Sequence, residues 1–151
     1  MTKTEINPFE LEIAEMLAER ERTMQDFTDD HRGMAIYAIV RKDLEMNAGK
    51  LGSQAGHAYA EAVEHAPADL LAAYKGTGHG TKLAMAAKNM GTITRIYREA
   101  RAAGFPCYLV IDRGTIDLPH FTGKPIVTAL ALGPVFKDEV TSLTKLLTFV
   151  K

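Results

Sequence analysis

Four polar residues recur at helical spacing just after the most strand-like run in the first half of the chain. Because each residue advances an α-helix by about 100°, Lys50, Gln54, His57 and Glu61 fall within about 60° of one another. They offer an ammonium, an amide, an imidazole and a carboxylate on one face. Small and apolar residues form the neighbouring face of the helix, which can pack against the rest of the protein. Periodicity alone also fits a polar face that only contacts solvent, so the surrounding elements must decide.

These residue types, together with Asp112 and Thr115, suit hydrolysis by an activated water molecule. A carboxylate or an imidazole, here Asp112 or His57, can accept a proton from water. An ammonium near a helix N-terminus, here Lys50, can hold a phosphate or a developing oxyanion. The Thr115 hydroxyl can orient the water. The sequence has no GxSxG motif, so covalent acyl catalysis is disfavoured.

Other motifs are excluded by their order or spacing. The stretch GTGHGTK, residues 76–82, has the wrong order for a phosphate-binding loop and precedes a predicted strand, so it is interpreted as a connector. The histidines show no spacing that would place two on a common ligand face, and Cys107 is the only cysteine. Neither a metal site nor an internal disulfide is therefore expected. Cys107 lies in an apolar run, which predicts a buried structural thiol.

Composition and charge narrow the class of protein. The chain has 151 residues, 46% of them hydrophobic, which suffices for one domain with a substantial core. It has no apolar run of about 20 residues and no signal-peptide pattern, which predicts a soluble, cytoplasmic protein with no membrane partner. Residues 1–33 contain four basic and nine acidic residues, a net charge of −5, whereas the remainder contains 14 basic and 10 acidic residues, a net charge of +4. A modestly basic body is compatible with RNA as a partner.

Strands and helices are predicted to alternate along the body of the chain. An acidic helix from Pro8 to about Gln25, capped by Asn7, precedes it. The predicted body elements are strands at 34–41, 81–87, 105–111 and 126–132, helices at 49–65, 68–74, 89–103 and 137–145, and a possible short strand at 146–150. This alternation predicts three layers around a largely parallel sheet, and the mostly apolar strands fit burial on both faces.

The predicted order of elements brings two of the polar groups together. The helix that carries Lys50 begins just past the carboxyl end of the first strand, and Asp112 directly follows the third. Ligands bind beyond the carboxyl ends of strands in open α/β sheets. If these two strands run in the same direction, Lys50 and Asp112 lie at the same edge of the sheet.

Several segments resemble, in the same order along the chain, the type-2 peptidyl-tRNA hydrolase family. The segment RKDLEMNAGKLGSQAGHA is similar to the family's first signature, and GFPCYLVIDRGT resembles its second, in which a strand delivers an aspartate. TALALGP and LLTFVK resemble its closing strand with Gly-Pro and its final short strand. The resemblance runs in register from about Met34 to Lys151 and leaves residues 1–33 outside it.

The resemblance implies hydrolysis of the ester between a peptide and the 3′ ribose of tRNA, which recycles tRNA in translation without a metal or organic cofactor. It maps catalytic roles onto Lys50, His57, Asp112 and Thr115. It also implies a homodimer and a mixed sheet. The expected fold is therefore a three-layer α/β/α arrangement with a mixed, mostly parallel four-stranded sheet.

Two departures from the family pattern follow Asp112. The family's aspartate is usually followed by Ala-Gly-x-Thr, whereas Thr115 stands one residue closer here, and the next loop, IDLPHFTGKPIV, is several residues longer. Thr122 is a possible replacement for the family's loop threonine. Contacts to substrate or RNA are expected from five residues: Arg41, Gln54, Arg113, Thr122 and Lys124.

The expected organisation is an acidic helical extension, residues 1–33, and a catalytic domain, residues 34–151. Two other functions stay open at this point. One is a tRNA- or RNA-binding module of the same fold without catalysis, and the other is a protein-interaction domain with an acidic arm. The opposite charges of extension and body also predict that removing residues 1–30 tightens RNA binding, unless the helix only packs on the body or is mobile.

Overall fold

The computed structural model describes residues 5, 7–23, 33–77, 80–114 and 120–150. Within them the chain forms the following elements: α1 (Pro8–Thr23), β1 (Met34–Arg41), α2 (Ala48–His65), α3 (Ala68–Gly76), β2 (Lys82–Ala87), α4 (Met90–Ala102), β3 (Cys107–Asp112), β4 (Ile126–Phe136), α5 (Thr141–Thr144) and β5 (Thr148–Phe149). Short 3₁₀ turns at Lys42–Leu44 and Lys137–Glu139 complete the order. Most predicted elements lie within two residues of these bounds, and β1 has the predicted bounds.

The five strands form one mixed sheet in the order β3-β4-β1-β2-β5. Only β1 and β2 pair in parallel; β1–β4, β3–β4 and β2–β5 are antiparallel. The mixed α/β fold is therefore confirmed. The expectation of a four-stranded, mostly parallel sheet is wrong, because β5 pairs with β2 as a fifth strand and because antiparallel pairings predominate.

The direction of β4 explains why the sheet is mostly antiparallel and why the expected positions of Lys50 and Asp112 are unaffected. β4 follows β3 through a connection without a predicted helix, which lets the chain turn back and pair antiparallel. β4 then lies between β3 and β1 and runs against both. β1 and β3 consequently run in the same direction, which places Lys50 and Asp112 at the same edge of the sheet.

Helices cover both faces of the sheet, and β1 supplies a core residue to each face alternately. Ala35, Tyr37 and Ile39 pack in one hydrophobic cluster with residues of α4 and α5. Met34, Ile36, Ala38 and Val40 pack in a second cluster with residues of α2 and α3. This alternation is the period of two that a strand buried on both faces imposes.

Two features away from Lys50 and Asp112 agree with the sequence predictions. Asn7 caps α1, since its Oδ1 accepts a hydrogen bond from the Phe9 N–H at 2.9 Å, and residues 7–22 are exposed. Cys107 is buried, as predicted, and burial raises the pKa of its thiol to about 12. A thiol with so high a pKa is almost entirely protonated near neutral pH and is a poor nucleophile.

Candidate active site

The N-terminal turn of α2 places Lys50 at the carboxyl edge of β1. Asn47 caps the helix, because its side-chain Oδ1 accepts a hydrogen bond from the Lys50 N–H at 2.9 Å. This is the usual role of asparagine at such a position. The cap fixes where α2 starts and therefore which turn carries the Lys50 ammonium.

The Lys50 ammonium contacts the carboxylate of Asp112 at the end of β3. Lys50 Nζ donates a hydrogen bond to Asp112 Oδ2, and both side chains are largely shielded, with 14% and 13% of their surface exposed. The ring of the buried Phe121 lies beneath the ammonium, with its centroid 4.7 Å from Nζ. An ion pair shielded in this way interacts more strongly than one in bulk water.

Gln54 extends this contact into the protein interior. Its Nε2 donates to Asp112 Oδ2 at 2.9 Å, and its Oε1 accepts from the Thr128 hydroxyl at 2.5 Å. Gln54 is 2% exposed and Thr128 is fully buried. Because the ionised Asp112 carboxylate can only accept, the amide presents its N–H₂ to Asp112 and its oxygen to the Thr128 hydroxyl, which donates.

An irregularity in the sheet turns Thr128 toward this chain of hydrogen bonds. Val110 lies opposite Ala129 and Ile111 lies opposite Val127, so the register of β3 and β4 skips Thr128. An extra residue in one strand changes the direction in which side chains point. Sequence analysis missed Thr128; the only signal was a polar residue inside the apolar run IVTALAL.

The surroundings of Asp112 favour its ionised form. Hydrogen bonds from the Lys50 ammonium and from the Gly114 N–H, the latter 2.5 Å from Oδ1, hold the pKa of the carboxyl below its ordinary value. Desolvation opposes this shift, and the charges of Lys50 and His57 add to it. Both carboxylate oxygens are therefore occupied as acceptors, and the group is a weak base.

His57 lies one turn after Gln54 and is exposed at an open cleft of about 680 Å³. The cleft is lined by Lys50, Ser53, Gln54, His57, Ile111, Asp112 and Arg113. The structure thus brings three of the four predicted catalytic residues together, whereas Thr115 lies outside the described residues. Ile111 is an apolar wall of this cleft and is 56% exposed.

Comparison with known proteins identifies the family. The sequence profile of the family described as Peptidyl-tRNA hydrolase PTH2 matches residues 34–150. The chain belongs to the PTH2 family. Proteins named Peptidyl-tRNA hydrolase are similar to it: that of Pyrobaculum aerophilum is 33% identical over 71% of this chain and 92% of its own length.

Two further relatives carry the same name. The protein of Methanothermobacter thermautotrophicus is 30% identical over 70% of this chain and 90% of its own length. That of Methanocaldococcus jannaschii is 31% identical over 74% and 95%. Membership in the PTH2 family confirms the predicted resemblance and the predicted activity, hydrolysis of peptidyl-tRNA, and thus a tRNA-linked substrate.

The other predicted contact residues of this PTH2 member lie in different surroundings. Arg41 is not among the described residues that line the cleft: its guanidinium binds the Asp43 carboxylate at 2.7 and 3.1 Å and the Val127 carbonyl at 3.0 Å. Thr122 and Lys124 are exposed on the loop before β4 and are not among the described residues that line the cleft. Arg113 lines it and is exposed.

Glu61, the fourth residue of the polar stripe, pairs with His65 instead of the site. Their side chains lie 3.2 Å apart and are 43% and 50% exposed. Among the described residues of this PTH2 protein, no cluster of His, Cys, Asp and Glu side chains is arranged to hold a metal ion. No helix in the described ranges is long and apolar enough to cross a membrane.

Proposed function

We propose that this PTH2 member hydrolyses the ester of peptidyl-tRNA in the cleft between α2 and β3, with water as the nucleophile. The observation that supports this assignment is the partly buried chain from Lys50 through Asp112 and Gln54 to Thr128, which forms one side of an open cleft beside His57. A preorganised cation next to an accessible imidazole suits attack of water on an ester carbonyl.

Lys50 stabilises the oxyanion. When water adds to the ester carbon, the carbonyl oxygen becomes negatively charged, and an ammonium already held in place needs little reorganisation to bind it. Asp112 and the ring of Phe121 keep the ammonium at the cleft. Gln54 positions Asp112 and, as a residue of the cleft lining, also contacts the substrate.

His57 is the general base, and Asp112 is a positioning residue. The lowered pKa of Asp112 and its three hydrogen bonds make it a poor proton acceptor. An imidazole is a stronger base than such a carboxylate, and His57 faces the open cleft. His57 takes a proton from the attacking water, the C–O bond to the ribose breaks, and the imidazolium returns that proton to the 3′ oxygen.

The remaining predicted residues are assigned to substrate contacts. Thr115 orients the attacking water, as the family resemblance implies, and Arg113 binds the tRNA phosphates beside the cleft. Thr122 and Lys124, exposed on the loop before β4, contact the acceptor stem. Phosphate contacts of this kind position a nucleic acid without reading its sequence.

The proposed organisation assigns residues 34–151 to the catalytic domain and residues 1–33 to an acidic extension. The protein is proposed to act in the cytoplasm as a homodimer. Support for the dimer comes from the family resemblance. Sedimentation equilibrium of the full chain tests it, and a monomer at micromolar concentration would contradict it.

The catalytic assignment is tested by release of peptide from peptidyl-tRNA. Lys50→Ala is expected to lower kcat by about 100- to 1,000-fold, the usual loss when one oxyanion donor is removed, and Asp112→Ala by a comparable factor. Arg95→Ala is the matched control, because it removes the cation of an exposed pair with Glu99. Near wild-type turnover in both site variants would overturn the assignment, and tRNA binding without hydrolysis by the wild type would favour a binding module.

A further inference from the structure

A second cavity lies at the carboxyl ends of β1 and β2. α2 follows β1 and packs on one face of the sheet, whereas α4, which follows β2, packs on the other face. Where the connections of two adjacent parallel strands diverge in this way, a crevice opens at their carboxyl ends, and ligands bind there in open α/β sheets. The cavity has a volume of about 230 Å³ and includes Val40 and Ala86 from these strands.

The lining of this cavity is mostly apolar and includes charged residues. Val40 and Met46 are buried, and Phe149 of the edge strand β5 is 67% exposed. Arg41 and Glu45 are among the charged lining residues. A site for a whole drug-sized ligand measures about 300–1,000 Å³, so this cavity suits one flat ring or one side chain of a larger molecule.

The cavity adjoins the catalytic cleft through the first turn of α2. Lys50 lines the cleft, and its sequence neighbour Leu51 lines the cavity. Consecutive residues of one helical turn therefore line the cleft and the cavity, so a substrate molecule that reaches from Lys50 to Leu51 contacts both.

We propose that this cavity binds the base of the 3′-terminal nucleoside of the tRNA, an inference that rests on the proposed function. The peptide differs from one substrate molecule to the next, whereas the nucleoside that carries the ester is always adenosine. A preformed, mostly apolar cavity with one aromatic ring suits the constant part, and binding energy from such a non-reacting group positions the ester.

The cavity residues match the chemistry of adenine. The exposed Phe149 ring offers a stacking surface, and Glu45 offers an acceptor for the exocyclic amino group. Arg41 also lines the cavity, and its side chain is held by Asp43 and by the Val127 carbonyl.

The kinetic test compares two esters with the same acyl group, one on the 3′ oxygen of adenosine and one on ribose without a base. Phe149→Leu is expected to lower kcat/KM for the adenosine ester by about 5- to 150-fold, the range that stacking on an aromatic ring provides, chiefly through KM. The ester without a base should be unaffected, and Phe149→Tyr should retain wild-type values. Phe9→Leu is the control, because Phe9 is similarly exposed, at 65%.

Direct binding provides a measurement that does not depend on turnover. Adenosine should shift the NMR signals of the Met46 and Leu51 methyl groups saturably in the wild type, and ribose should not. Equal losses for both esters in Phe149→Leu, or methyl signals that adenosine leaves unchanged, would overturn the proposal and assign the cavity to the peptide or to packing. If the wild type does not hydrolyse peptidyl-tRNA, the proposed function is wrong. The adenosine titration would still show whether the cavity binds adenosine.

Discussion

Two side-chain pairs that involve the polar face of α2 differ in burial and in the sequence distance between the partners. Lys50 pairs with Asp112, which lies 62 residues away in sequence, and both side chains are shielded from solvent. Glu61 pairs with His65 one turn further along the same helix, and both are about half exposed. Lys50 and Glu61 belong to the same polar stripe of α2, so the sequence distance to the partner and the burial of the pair, rather than composition, distinguish the candidate site from a solvated surface.

The largest effect is expected from breaking the first pair. Lys50→Met and Asp112→Asn should each lower kcat by about 100-fold or more, and the double variant should be little worse than the poorer single one, because residues that act as a unit lose their effect together. Single-turnover assays of peptide release measure these losses. Multiplied losses in the double variant would show that the two residues act independently.

A smaller effect is expected from a change at Thr128, which holds Asp112 in place through Gln54. Thr128→Val leaves the Gln54 carbonyl oxygen buried without its donor, which should cost about 1–3 kcal/mol of unfolding free energy. Because Gln54 then holds Asp112 less firmly, kcat should fall by about tenfold, roughly 1.4 kcal/mol of barrier. Urea denaturation and the hydrolysis assay measure both.

Thr94→Val is the control for this change. The Thr94 hydroxyl donates to the Met90 carbonyl within its own helix, 2.9 Å away, so its loss should leave activity unchanged. If both threonine variants lose activity equally, the proposed link from Thr128 to Asp112 is wrong.

Acid should weaken the first pair through Asp112. The pKa of Asp112 is lower in the folded chain than in the unfolded chain. In an unfolded chain the pKa of an aspartate is about 3.9. The resulting stabilisation is fully present above that pH and is lost as the pH falls through the folded-state value. The difference in unfolding free energy between wild type and Asp112→Asn should therefore be constant from about pH 5 to 8 and should shrink below about pH 4. A difference that grows on acidification would contradict this assignment.

The smallest effect is expected from breaking the second pair. Glu61→Gln should change the unfolding free energy by less than about 0.5 kcal/mol and leave kcat unchanged, since exposed pairs contribute little. Thermal unfolding and the hydrolysis assay check this. A tenfold loss of activity would place the far end of the polar stripe in contact with the substrate.

The sequence predicted those parts of the fold that local patterns specify. The cap at Asn7 and the run MAIYAIVR gave α1 and β1 their starts because capping residues and continuous apolar runs act locally. The direction of β4 was not predictable in this way, since a strand buried on both faces reads alike whether it pairs parallel or antiparallel.

The site shows the same division. Lys50 and Asp112 were expected at the same edge of the sheet on condition that β1 and β3 run in the same direction, and the structure meets that condition. Thr128 was not found, since its contact with Gln54 depends on the register of β3 against β4. The weak basicity of Asp112 likewise depends on the Gly114 N–H and the Lys50 ammonium, which only the folded chain brings to it.

The position of β4 between β1 and β3 has a consequence for how the enzyme comes into being on the ribosome. α2 packs across β1, β4 and β3, so β4 is the spacer that sets the distance between the two halves of the site. A nascent chain that has emerged only as far as Asp112 already contains Lys50, Gln54 and His57, yet it lacks the strand that aligns them. Activity therefore arises only after β4, which follows Lys50, Gln54, His57 and Asp112 in the sequence, has inserted between β1 and β3.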